Sequence, residues 1–150
     1  MRWPTILFSL VIVSALSAHA ASAKIIKVLP HFLDWNGRNS LHPSLFERDA
    51  YQVELRTNPG KRSALRFDVQ WKAAWYEYDA LRLRVEVKGL QGKQPTNNVL
   101  EQVVKPPTHF SQWTGLTLGG EQFRNFEMVA WRATLVDGTN VVAEQKSFLW

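Results

Sequence analysis

Leu65, Phe67, Val69 and Trp71 alternate with Arg66, Asp68 and Gln70, and Leu81, Leu83, Val85 and Val87 alternate with Arg82, Arg84 and Glu86. A period of two sends successive side chains to opposite faces. Both segments are therefore predicted as strands with one face in a core and the other in water. The same reading predicts strands at Ile25 to Asp34, Val99 to Lys105 and Gln112 to Leu118, with Pro30 restricting the first to an edge or a bulge. Two more, Met128 to Val136 and Val141 to Trp150, flank Asp137-Gly138, a strong hairpin signal. A three-residue loop at Asp137 to Thr139 would set Leu135 opposite Val141 and Arg132 opposite Glu144; a two-residue loop is the alternative. The stretch from Gly89 to Asn98, GLQGKQPTNN, reads as a flexible loop.

One segment departs from the β pattern. His42 to Arg56 is rich in helix formers, with Ser44 and Glu47 spaced as a capping box and Asn58-Pro59-Gly60 as a stop. Positions 46, 50 and 53 fall on one helical face, which makes that face the expected contact with the core. Strand is the rival, since Tyr51, Val53 and Leu55 also alternate.

About seven strands joined by turns, with a single helical segment, point to an all-β fold: an antiparallel two-sheet immunoglobulin-like sandwich with one short helical insertion. The runs SLFERDAYQVELR and SALRFDVQWKA and the ending EQKSFLW resemble small, uncharacterised exported bacterial proteins. The strand number and spacing resemble immunoglobulin-like and fibronectin-III-like sandwiches, although a chain without cysteine lacks the disulfide of antibody-type domains. Neither resemblance implies an activity.

The N-terminus sets the compartment. Arg2, the 11-residue apolar run ILFSLVIVSAL and the small residues after it form the three parts of a signal peptide. The run is shorter than the roughly 20 residues that span a bilayer. Cleavage sites stand at Ala18-His19-Ala20 and Ala21-Ser22-Ala23; the second is preferred, giving a signal peptide at 1–23 and a single domain at 24–150. An exported chain with no cysteine has no disulfide, no thiolate metal site and no cysteine nucleophile. Its stability must come from packing, and 45% apolar residues with seven tryptophans, six of them after the signal peptide, are suited to that. The net charge of +5 is spread along the chain, with no run of like charge that would mark nucleic-acid binding.

Catalytic signatures are missing. His31, His42 and His109 are scattered, no nucleophile elbow occurs, and the glycines at 115, 119 and 120 read as a bulge and a turn. No cofactor or metal is expected. If Trp71 and Leu81 were cross-strand partners, Asp68 would face Arg84 and Arg66 would face Glu86; a sandwich that sends the two strands to different sheets abolishes this pairing. Either way, these carboxylates sit on a wet sheet face, and the chain is not read as an enzyme.

The candidate binding residues are aromatic. Trp75, Tyr76 and Tyr78, with Glu77 among them, occupy the connection AAWYEYD, and Trp35 stands beside Asn36 in DWNGRN. In an extended loop Tyr76 and Tyr78 would share one side and Trp75 the other, one side packing and one available. Trp113 and Trp131 are expected in the core, and Phe148 with Trp150 is expected to pin the C-terminus. The functional expectation is a non-catalytic envelope module with a structural or protein-interaction role, periplasmic or extracellular, binding another protein through these rings or by strand addition. The alternative is a carbohydrate-binding module using the same rings. A coplanar row of exposed rings would favour the sugar, and a rounded apolar patch without a polar fringe would favour the protein partner.

Overall fold

The period-two segments do form the two faces of one core. A computed structural model describes residues 22–150, and the predicted signal peptide lies outside these except for Ser22 and Ala23. The elements are β1 (Ala23–Asp34), α1 (Leu45–Thr57), a 3-10 turn (Pro59–Lys61), β2 (Arg62–Ala73), β3 (Leu81–Gln91), β4 (Gln94–Val104), β5 (Gln112–Gly119), a second 3-10 turn (Gly120–Gln122), β6 (Phe126–Asp137) and β7 (Asn140–Lys146). A three-stranded sheet, β1-β2-β5, faces a four-stranded sheet, β4-β3-β6-β7, and every pairing is antiparallel. The fold is the expected all-β, two-sheet antiparallel sandwich with one helical insertion.

Phe67, Val69, Trp71, Leu83, Val85 and Val87 are all 0% exposed, so the inward positions of β2 and β3 meet across the sandwich. Burying a side chain of this size contributes about 1.5–3 kcal/mol. The Trp71 indole N–H would be unpaired in such a core, and it donates to Thr114 Oγ1 at 3.0 Å. Because β2 and β3 lie in different sheets, the Asp68–Arg84 and Arg66–Glu86 pairs do not form. Asp68 instead holds Arg66 at 2.7 Å, and Glu86 holds both Arg84 and Arg132 at 2.7 Å. Gly115 is a regular β5 position opposite Asp68 rather than a bulge, and lies beneath that Arg66–Asp68 pair.

Several expectations are corrected. The GLQGKQPTNN stretch is a tight hairpin, with Gln91 opposite Gln94 across Gly92-Lys93. Its polar composition reflects an edge strand wetted along most of its length. The β6–β7 hairpin also has a two-residue loop, Gly138-Thr139, and a bulge after Val141 that sets Leu135 opposite Ala143. In both turns glycine leads with positive φ (64° at Gly92, 56° at Gly138), the twist that two-residue hairpins favour. Trp113 is 50% exposed, on the outer face of β5, whereas Trp131 packs against the core as expected. Phe148 is fully exposed, and only Trp150 folds back, its ring under Lys88 Nζ at 3.9 Å and the Arg132 guanidinium at 4.9 Å.

The helix is present, but it docks by a different face. Phe46 is 80% and Val53 54% exposed, while Gln52 and Leu55 are buried. Ser44 stands at the N-cap without a side-chain hydrogen bond, so the capping box does not form. Gln52 determines the orientation. Its Oε1 accepts from Phe32 N–H at 2.8 Å, and its Nε2 donates to the carbonyls of Phe32 (2.9 Å) and Asn39 (2.8 Å). β1 is an edge strand, and the Gln52 amide completes its backbone pairing as a neighbouring strand would.

Candidate functional site

The sequence-predicted aromatic residues fall at the two ends of the sandwich. β2 starts beside Trp35 and ends beside Trp75, and its 12 residues place the two groups about 35 Å apart. Trp35 and the AAWYEYD rings therefore do not share a site.

At the end after β2 the connection is a turn, closed by Glu77 N–H donating to the Ala74 carbonyl at 3.1 Å and tied down by Ala74 N–H donating to the Ser22 carbonyl at 2.7 Å. The turn, unlike an extended loop, puts Trp75 and Tyr76 together on the wet side, 57% and 73% exposed. Their rings meet edge to face, with centroids 5.9 Å apart and planes at 84°. Tyr78 is the packed member: its ring lies against the core and its hydroxyl is 2.5 Å from Ser22 Oγ. Glu77 is exposed at the rim. The β4–β5 connection contributes His109 and Phe110, the latter 82% exposed. Trp75, Tyr76 and Phe110 line a shallow depression of about 340 Å³, fringed by Lys72, Glu77 and His109. The sequence offered no signal for His109 and Phe110 beyond the Pro106-Pro107 pair that ends β4.

At the other end Trp35 is 74% exposed and stands over a cleft of about 600 Å³. Its indole N–H donates to the Gly60 carbonyl at 2.9 Å, which fixes the ring at the cleft mouth. Asp34 builds the turn that carries it. One carboxylate oxygen accepts from the backbone N–H of Asn36 (2.8 Å) and Arg38 (2.9 Å), the other from Arg38 Nε (2.9 Å) and the Tyr51 hydroxyl (2.8 Å). Burial alone would raise the Asp34 pKa, but these hydrogen bonds outweigh it and lower the value to about 2. Burial and the same carboxylate push the Tyr51 hydroxyl up. Buried Arg62, Phe123 and Phe126 line the cleft together with the exposed Glu127, none of them flagged by the sequence because they converge only through the strand order.

His31 lies 3.7 Å from Asp68 under α1. Burial lowers its pKa by more than the Asp68 carboxylate raises it, so at neutral pH the contact is between a neutral imidazole and a carboxylate. Among the described residues no cluster of three or more His, Asp or Glu side chains has metal-binding geometry, and no helix is long and apolar enough to cross a membrane. Comparison with protein-family models, curated proteins and solved structures returned no match to this chain.

Proposed function

We propose that this protein is an exported, non-catalytic interaction module that docks another envelope or extracellular protein through the surface formed by Trp75, Tyr76 and Phe110. The observation that carries this reading is the right-angled placement of Trp75 and Tyr76, both largely exposed, beside the exposed Phe110 ring. Rings at 84° cannot form the flat shelf on which a sugar face stacks. They make a contoured apolar centre, and exposed tryptophan and tyrosine are the residues that anchor protein interfaces. Lys72, Glu77 and His109 supply the polar rim that such interfaces carry.

Export places the module where such a partner would be met. Ala23, the first residue of β1, is 3% exposed and pairs with Ala73 of β2, and Ser22 bonds both Ala74 and Tyr78. Cleavage after Ala20, the upstream of the two sites, keeps these contacts, whereas cleavage after Ala23 removes them. The mass of the mature chain distinguishes the two.

Cross-linking in the native envelope tests the docking surface, using the full chain, a Trp75→Ala/Tyr76→Ala variant and a Trp113→Ala control. A specific protein recovered with the wild type and the control, but lost with the double variant at unchanged thermal stability, supports the assignment. Equal recovery by all three, or none above background, overturns it.

A further inference from the structure

We propose that the cleft under Trp35 is a second binding site, and that it takes a neutral oligosaccharide. The cleft lies at the opposite end of the sandwich from the protein-docking surface and shares no side chain with it.

The cleft is a built structure. Arg62 lies at its base with 4% of its side chain exposed, its guanidinium 2.6 Å from Glu127 and stacked 4.7 Å from the Phe32 ring. The β5–β6 loop forms one wall and is braced from outside. Gln91 Nε2 donates to the carbonyls of Glu121 (2.8 Å) and Arg124 (3.2 Å), and Gly92 N–H donates to the Asn125 carbonyl at 2.9 Å. Asn125 holds φ of 54°, a left-handed conformation that asparagine tolerates better than most residues and that turns the chain back toward β6. Trp35 is pinned by its own indole N–H. A wall, a floor and a ring fixed by such bonds need little reordering when a ligand enters. A volume of about 600 Å³ also falls in the range of small-molecule sites.

The charges select the class of ligand. Each acid in the cleft already holds a base: Glu127 pairs with Arg62, and Glu121 with Arg124 at 2.7 Å. An incoming anion meets two carboxylates and an incoming cation meets two guanidiniums, so the lining favours neither. A sugar hydroxyl both donates and accepts, and can bond the carboxylate and the guanidinium of one pair together. The C–H face of the same sugar ring is apolar, and Trp35 offers an exposed indole to cover it. Both Glu127 oxygens face the Arg62 guanidinium, at 2.6 and 3.5 Å, yet the side chain is 60% exposed and lines the cleft, so a hydroxyl can reach the pair.

Titration of the purified mature protein with neutral hexasaccharides of glucose, mannose and N-acetylglucosamine, read by tryptophan fluorescence and by the Trp35 indole NMR resonance, tests the assignment. A uronic-acid oligosaccharide and a sulfated one serve as charged controls. Saturable millimolar or tighter binding of a neutral oligosaccharide is expected, insensitive to salt. Trp35→Ala should weaken it at least about tenfold, equivalent to about 1.4 kcal/mol, and Trp75→Ala/Tyr76→Ala should leave it unchanged. Trp35 is exposed enough that its loss should not unfold the domain, and Arg124→Ala supplies an independent second lesion in the wall. No binding of any neutral probe, binding of the charged controls alone, or binding indifferent to both lesions would overturn the proposal.

Discussion

Replacing Asp34 by Asn tests the turn that presents Trp35 and ties it to α1. The substitution keeps the shape and one acceptor oxygen but removes the charge that Arg38, Asn36 and Tyr51 converge on. Folding lowers this carboxyl from 3.8 to about 2. Each pKa unit is worth about 1.4 kcal/mol, so the ionised form contributes about 2–3 kcal/mol at neutral pH. A group depressed in the folded state gives this stability above its unfolded pKa and loses it as pH falls toward the folded value. Asp34→Asn should therefore be less stable than wild type by about 2–3 kcal/mol near pH 7, and the gap should close progressively from about pH 5 down toward pH 2. Urea unfolding followed by tryptophan fluorescence reads the gap as a midpoint lower by about 1–2 M. A gap under about 0.5 kcal/mol at neutral pH, or an equal gap at both ends of the range, refutes the reasoning.

Three further outcomes follow from the packing. Gly89→Ala would place a Cβ 2.3 Å from the Glu127 carbonyl and 2.5 Å from the Phe126 ring, and should lower stability by about 1–3 kcal/mol in thermal unfolding. Gln52→Ala leaves the Phe32 edge groups unpaired, and should cost about 1–3 kcal/mol in urea and speed hydrogen exchange at Phe32. Because burial lowers the His31 pKa, wild-type stability should decline as pH drops below the ordinary histidine range, and His31→Gln should flatten that decline in pH-dependent unfolding.

The two sheets were legible because β2 and β3 are each wet on one face and dry on the other, which writes a period of two into Leu65 to Trp71 and Leu81 to Val87. β4 is an edge strand exposed over most of its length, so its first half lost that pattern and read as a loop. The helix was legible from its formers and its stop, but its docking face was not. Phe46, Ala50 and Val53 looked like the apolar stripe, yet a polar side chain, Gln52, fixes the orientation by satisfying the free edge at Phe32. Such a bond depends on β1 being at the sheet edge, and periodicity does not reveal strand order. The sites divide in the same way. Trp75, Tyr76 and Trp35 stood out as unusual residues in connections, and all three are exposed. What surrounds them was hidden: Phe110 and His109 on one side, Arg62, Phe123 and Glu127 on the other, join only when distant loops meet.

The interaction role depends most directly on where a partner touches. A photo-reactive amino acid can be placed at Tyr76, at Phe110 and, as a control, at Thr117 on the exposed face of β5, in cells that make the protein. A discrete cross-linked band containing one partner protein at Tyr76 and Phe110, absent at Thr117, is the predicted result. Equal labelling at all three positions, or labelling at Thr117 alone, would contradict it.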